Sequence, residues 1–258
     1  MKTLKELIAY KSMIGSLIQR DLRGRYKGSV LGFAWTFLNP LLQLCVYTVV
    51  FSAIMRAGIE DYYLFLFVAL IPWIFFSSSL TGGASCIFSQ KELVKKIYFP
   101  REVLPISYVT SCFVNMLLSF LVVFALIAVS GSGFCPQALA CLPIVMLTEY
   151  VLCLGIALIV SACTVYLRDL EHMIGVLLMA WIYLTPVMYD IRFIPKDLFY
   201  LFYMNPMTPI AAAYREILYY KQIPDLSGLV ACLLFALSAV CAGLVIFTGL
   251  QKNFVEEL

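Results

Sequence analysis

Long runs of apolar residues, interrupted at a few places by short polar clusters, set the plan of this chain. The hydrocarbon core of a bilayer is about 30 Å thick and takes roughly 20 helical residues to cross, so uncharged runs of that length read as spans. Six emerge, at residues 31–55 and 62–82, two within 103–148, and at 173–189 and 226–250. The 103–148 stretch carries no charge and must fold back once, most naturally at SGSGFCP (130–136), where glycine and proline collect. The fifth run, short for a full crossing, is bounded by Arg168, Asp169 and Glu171 on one side and by Asp190 and Arg192 on the other. The expected fold is all-α: one polytopic membrane domain over 1–258, with six transmembrane helices inside 31–250 and a polar tail at 251–258.

Three segments do not fit a simple span. In residues 1–27, Leu4, Leu7, Ile8, Ile14, Leu17, Ile18 and Leu22 recur at helical spacing while most cations fall elsewhere, which predicts an amphipathic helix lying in the headgroup boundary. A basic tail with no partner accounts for the same cations. The segment KELVKKIYFPRE, from Lys91 to Glu102, is too polar for lipid and too short for a domain. Pro100 and Pro105 bias Phe99 and Leu104 away from helix, confining any helix there to residues 90–98. Tyr98 and Phe99 beside Lys95, Lys96 and Arg101 form the composition expected where a membrane subunit presses into a soluble partner. Ordinary interfacial aromatics in a basic loop are the competing account. Residues 190–225 are rich in aromatics and proline, too apolar for a solvated linker and too broken for a span. They predict a pair of re-entrant half-helices, since irregular backbone at that depth must be buried in protein or line a wet cavity. A surface-lying amphipathic segment is the alternative.

Composition places the chain outside the soluble range, with 63% hydrophobic residues, 13% charged and a mean hydropathy of +0.95. Of the 18 lysines and arginines, 13 fall on the side of the N-terminus and only Arg56, Arg192, Lys196, Arg215 and Lys221 on the other. Cations in short flanks stay cytoplasmic, so both termini are expected in the cytosol, in agreement with an even number of spans. The first apolar run is 25 residues long without a small-residue cleavage site and reads as an anchor. The nine cysteines show no CxxC or Cys/His metal spacing and read as packing residues.

Chemistry is sparse. Glu149 is the only carboxylate within a long apolar run, a transport candidate by default and equally a neutral hydrogen-bonded packing group. His172, the sole histidine, sits among Arg168, Asp169 and Glu171 and suits a structural polar turn. Trp35, Trp73 and Trp181 suit interfacial belts, and aromatic faces also stack on sugar rings. No GxxxxGK[ST] loop is present, so ATP hydrolysis by that route has to come from another chain. Neither an internal repeat nor an acidic pair suggests an ion-coupled carrier. The scarcity of clustered Asp, His or Arg argues against a phosphate-processing enzyme, and no catalytic residue, metal site or nucleic-acid contact is expected.

Taken in order, the polar motifs resemble one family along almost the whole chain. Arg20-Asp21-Leu22, then Arg25-Tyr26-Lys27-Gly28-Ser29, Leu31-Gly32, Trp35 and Asn39-Pro40, resemble the opening of permease subunits of type-2 ABC transporters that export O-antigen, capsule or teichoic acid chains. Residues 93–102, LVKKIYFPRE, look like that family's coupling helix. Tyr166-Leu167-Arg168-Asp169 with His172, Thr185-Pro186 with Tyr189, and Asn205-Pro206 with Tyr214-Arg215 continue the match. The resemblance implies two copies of the chain around a channel in the bacterial cytoplasmic membrane, each docked on a cytosolic P-loop ATPase that binds ATP and Mg. It assigns ATPase coupling to Lys91, Glu92, Leu93, Lys95, Lys96, Tyr98, Phe99 and Arg101. It places Tyr189, Tyr200, Tyr203, Asn205, Pro206, Tyr214 and Arg215 in the external re-entrant region. Arg20, Arg23, Arg25 and Lys27 become candidates to meet a lipid pyrophosphate by charge pairing, although positive-inside bias explains them too. Processive threading of a lipid-linked glycan is the family's expected mechanism. The same architecture with a drug, lipid or haem-like cargo, or a membrane enzyme acting on polyprenyl phosphates, are the alternatives.

Overall fold

The computed structural model describes residues 9–24, 30–54, 58–131, 133–195, 197 and 202–257. Among them the chain is helical with no strand. The helices are α1 (Lys11–Gly24), α2 (Trp35–Thr48), α3 (Tyr62–Ser89), α4 (Lys91–Lys96), α5 (Val103–Val129), α6 (Pro136–Leu139), α7 (Leu142–Tyr166), α8 (Asp169–Leu184), α9 (Met207–Leu218), α10 (Leu226–Leu250) and α11 (Phe254–Glu257). Among the described residues, five stretches are long and apolar enough to cross a membrane: Gly32–Ser52, Tyr62–Ser89, Val103–Val129, Pro136–Tyr166 and Leu226–Asn253. The chain is a multi-pass membrane protein.

α3 is the axis of the bundle. It is apolar on every side, and 78% of its apolar window is buried against protein, compared with 22% for α10. It packs on α2, α5, α7, α8 and α9. The sequence suggested a span ending near Gly82, whereas α3 continues through Gly82 and Gly83 to Ser89. A Cβ at Gly82 would overlap the Tyr108 ring, and one at Gly83 would lie 3.0 Å from Ala157 Cβ. Close helix contact at these positions outweighs the intrinsic helix penalty of glycine, about 1 kcal/mol each.

α7 and α10 form the tightest pair. A Cβ at Gly155 would lie 2.7 Å from the Val240 backbone nitrogen, and one at Gly243 would lie 2.9 Å from the Gly155 carbonyl oxygen. Small residues let the two backbones approach within van der Waals contact, the usual source of helix association in a lipid environment.

Two local expectations change. Leu104 is helical despite preceding Pro105, because the proline sits in the first turn of α5, where an amide N–H has no intrahelical acceptor to lose. The fifth apolar run was expected to remain helical to residue 189, but α8 stops at Leu184. Thr185, preceding Pro186, takes φ −107° and ψ 130°, the extended geometry that a following proline imposes. α8 has 16 residues and so spans about 24 Å. In the region where two half-helices were expected, the described residues contain α9 and a 3-10 turn at Ile191–Phe193, and residues 196 and 198–201 lie outside them.

Two hydrophobic cores divide the bundle. The larger, built on α3, α5, α7 and α9, fills the middle and one end, called here the cap. The smaller gathers Leu17, Ile87, Val94, Phe99, Val103, Val165, Phe247 and Phe254 at the opposite end, the base, where α4 lies.

Candidate functional site

At the base, α4 and the turn after it separate into an exposed surface and a buried root. Lys91, Glu92, Lys95, Lys96 and Ile97 are exposed, and Tyr98 is 95% exposed. Leu93 is half-buried, and Val94 points into the base core. Phe99, expected to face a partner beside Tyr98, is only 4% exposed and lies in the same core. Ile97 adopts φ −129° and ψ 137°, so the extended turn after α4 sends neighbouring side chains to opposite sides. The exposed surface of this loop is therefore the basic face of α4 with Tyr98, and Phe99 is its anchor.

Electrostatics reinforce that division. Lys96 pairs with Glu92 one turn earlier at 3.0 Å, and hydrogen bonding and charge from Lys96 hold the Glu92 carboxyl below its ordinary range. Both groups are exposed, and such pairs contribute little to stability. Lys91 Nζ lies 5.3 Å and the Arg168 guanidinium 4.9 Å from the Phe88 ring centroid, so two cations share one aromatic face. At the far end of the turn, Arg101 Nη1 donates to the Gln251 carbonyl, and Gln251 Nε2 donates to Glu102 Oε1 at 3.0 Å.

The cap is built differently. Arg215 on α9 is 4% exposed. Its guanidinium lies 3.7 Å from the Phe65 ring centroid and donates to the carbonyls of Pro186, Val187 (2.6 Å) and Tyr189 (3.2 Å). The turn after Pro186 leaves these carbonyls outside any helix, and the planar fork of an arginine satisfies several at once. Asn205 secures the entry to α9. Its oxygen accepts from Trp181 Nε1 and from the Met207 amide, both at 3.0 Å, while its amino group donates to Thr185 Oγ1 (2.8 Å) and to the Leu184 carbonyl (3.2 Å). Tyr189 donates to the Tyr183 carbonyl at 2.6 Å, and Pro206 precedes the first residue of α9. Tyr203 is exposed.

A carboxylate closes the outer side of the cap. Asp190 accepts from the Arg192 side chain and backbone and from the Tyr220 hydroxyl, the shortest contact being 2.7 Å to Arg192 Nη2. Burial alone would push its carboxyl up, but these hydrogen bonds and the charge of Arg192 bring it down to about 2.

Glu149, within α7, is fully buried and accepts a 2.7 Å hydrogen bond from the Tyr214 hydroxyl, so the transport candidate is pinned to the cap helix. Its second oxygen, Oε1, has no hydrogen-bond partner. Tyr214 in turn stacks on Phe120 of α5 at 5.5 Å. His172 is exposed in the first turn of α8, where Asp169 and Glu171 complement the helix dipole.

Several clefts open on the bundle, two of which border α1 or α2. One, about 360 Å³, lies between α2, α3 and α5 and includes Thr36, Asn39, Ser78, Asn115, Ser119 and Trp35 in its lining. Carboxamides, hydroxyls and an indole make it suited to a hydrogen-bonding, ring-bearing solute. The other, about 260 Å³, lies under α1 and brings Arg20 and Asp21 beside Ser85, Ser89 and Tyr108. Arg23 is exposed at the end of α1. Arg25, Lys27 and Tyr200, along with Arg56 and Lys196 of the charge tally, lie outside the described residues.

Sequence reasoning missed Glu102, Gln251 and Phe254. Phe254 carried a signal, as the lone aromatic in the polar tail QKNFVEEL. It is fully buried.

Comparison with known proteins gives a consistent result. The profile of the ABC-2 type transporter family matches residues 13–219. The chain is 35% identical over 260 residues to the O-antigen export system permease protein RfbA of Myxococcus xanthus, covering 100% of both proteins. It is 31% identical over 242 residues to RfbA of Klebsiella pneumoniae, covering 94% of this chain and 93% of that one. The polysialic acid transport protein KpsM of Escherichia coli is similar at 23% identity over 253 residues, 96% of each.

Proposed function

The chain belongs to the ABC-2 type transporter family, and from that premise we propose that it is the membrane-spanning subunit of an ATP-driven exporter of lipid-linked polysaccharide. The observation that carries the reading is full-length similarity to an O-antigen export permease in a chain whose basic loop stands exposed on a buried root. Two copies of the chain would form the channel in the cytoplasmic membrane, with the base and both termini in the cytosol. Two copies of a P-loop ATPase, carrying ATP and Mg, would dock on Lys91, Glu92, Lys95, Lys96 and Tyr98.

The geometry suits this role. Force applied to α4 enters the base core through Val94 and Phe99, because a close-packed interior transmits displacement instead of absorbing it. α8 begins at the base, where Arg168 meets Phe88, and ends at the cap, where Asn205 holds Leu184. It serves as the sixth crossing, and its short length draws the cap into the outer leaflet. The polar cleft between α2, α3 and α5 offers hydrogen bonds to sugar hydroxyls at a depth where lipid offers none. Arg20 and Arg23 would meet the carrier lipid's phosphates at the headgroup level.

The test is a mild-detergent purification of the tagged chain from its native membrane with Tyr98→Ala and a Lys95→Glu/Lys96→Glu double variant as controls. A stoichiometric P-loop ATPase, lost in the charge-reversed variant and weakened by Tyr98→Ala, is the expected result. Recovery of the chain alone, under conditions that keep other membrane complexes intact, would refute the exporter. Accumulation of undelivered lipid-linked glycan in cells carrying the same variants separates polysaccharide from a drug or lipid cargo.

A further inference from the structure

We propose that the segment following α10 is a positioning element for the docking loop, tying its Arg101–Glu102 corner to α7 and α10 so that displacement of the loop moves those two helices together. The inference rests on the exporter reading above and adds the part of the bundle that receives the push.

The loop joins α3 to α5 through the chain itself, so those helices follow it covalently. α10 is remote in sequence and reaches the loop by another route. After α10 the chain turns in a 3-10 helix at Gln251–Asn253 and enters α11. That turn presents Gln251 to the loop with two groups at once. Its carbonyl accepts from Arg101 Nη1, and its side-chain amide donates 3.0 Å to Glu102 Oε1. Glu102 is 2% exposed, so its carboxylate has little solvent to fall back on.

Phe254 completes the tie. It is fully buried, packs edge-on against Phe247 of α10 at 5.5 Å and lies 6.2 Å from the Tyr166 ring at the end of α7. The Arg101 guanidinium stands 5.7 Å from the Phe254 ring centroid. The Tyr166 hydroxyl donates to the Leu250 carbonyl at 2.8 Å, binding the ends of α7 and α10 to each other. Because α7 and α10 also meet backbone to backbone at Gly155 and Gly243, whatever moves one end of this pair moves both helices. α7 carries Glu149, which holds Tyr214 of the cap. The tail thus links the docking loop at the base to a helix that reaches the cap.

A tail that merely filled space would need apolar contact only, whereas here a buried acid, an amide and a guanidinium meet at the loop corner. The decisive experiment reconstitutes the permease with its ATPase in proteoliposomes. It measures ATPase association, ATP hydrolysis and glycan export for Gln251→Glu, Glu102→Gln, the double variant and Phe254→Ala. Gln251→Glu sets two carboxylates against each other and is expected to lower export per ATP hydrolysed about tenfold while leaving association intact. The double variant restores the hydrogen bond in reversed polarity and is expected to return coupling to near the wild-type level. Phe254→Ala should uncouple in the same way, and Phe254→Tyr, which keeps the ring, should not.

Unchanged export per ATP in Gln251→Glu and Phe254→Ala would overturn the proposal and leave the exporter standing. Parallel loss of protein yield, association and export, with no rescue by the double variant, would reduce the tail to a folding element and also overturn it. Failure of the wild-type chain to bind any ATPase would remove the exporter reading itself.

Discussion

The two ends of this bundle are closed by different physics. The base is held mainly by apolar side chains from six helices and the tail, with Phe99, Phe247 and Phe254 buried together and polar ties at the Arg101, Glu102 and Gln251 corner and from Tyr166 to Leu250. The cap adds directed hydrogen bonds, in which Arg215, Asn205 and Asp190 satisfy polar groups of the irregular segment between α8 and α9. Dispersion and burial are non-directional, so an apolar base can shift as a packed unit and still stay closed. Hydrogen bonds are lost steeply with angle and distance, so a polar cap holds one geometry. In the exporter proposed above, that asymmetry would give a base that receives displacement and a cap that keeps its shape until it is forced.

The largest expected break in the contrast is at the base. Phe99→Ala removes a buried ring and should cost about 3–5 kcal/mol, lowering the thermal midpoint of the detergent-solubilised protein, whereas Tyr98→Ala should leave it unchanged. Equal destabilisation by both would mean that the loop has no exposed face. At the cap, Arg215→Leu keeps the bulk but strands the carbonyls of Pro186, Val187 and Tyr189, at a cost of roughly 3 kcal/mol. Limited proteolysis should then cut between residues 185 and 205 while the base stays protected. Cleavage appearing at the base instead would show that the two ends unfold as one.

Between the ends, Gly155→Ala places a methyl group against the Val240 backbone and should cost about 1–3 kcal/mol, loosening α7 from α10 without a polar change at either end. A cysteine pair across this seam would report the separation by slower cross-linking. The smallest effect sharpens the polar side of the comparison. Asp190 has its folded carboxyl lowered from the ordinary 3.8 to about 2, so its contribution to stability is complete above pH 4 and fades as pH falls from about 4 towards 2. Asp190→Asn should flatten that part of the stability profile, and an unchanged acid limb would show that the Arg192 and Tyr220 contacts carry no folding energy.

Much of the fold was legible because hydropathy is a local property. The starts of the runs at Tyr62, Val103 and Leu226, the turn rich in glycine and proline and the single short helix in the basic loop all followed from residues within one window. The candidate site was less so. Pro186 stood in plain view, yet the helix was expected to run past it, since an apolar run gives no sign of which side of a proline the chain will leave the helix. Tyr98 and Phe99 are adjacent and chemically alike, and only the extended turn after Lys96 decides that one faces outward and the other inward. Charge tally and resemblance placed Arg215 on the external side without saying that it is buried, and the carbonyls that hold it are 26 to 29 residues away.

The sequence by itself determined that the chain is a helical membrane protein with a short basic loop and no GxxxxGK[ST] motif, and its ordered motifs pointed to the family. Those properties depend on which residues are near each other along the chain. Only the tertiary structure decided that α3 is the axis, that Glu149 serves Tyr214, and that Phe254 and Gln251 reach back to the loop. The physical reason is that helices apolar on all sides are equally content against lipid and against protein. No amphipathic stripe marks their inner faces, and packing among distant segments has to choose them.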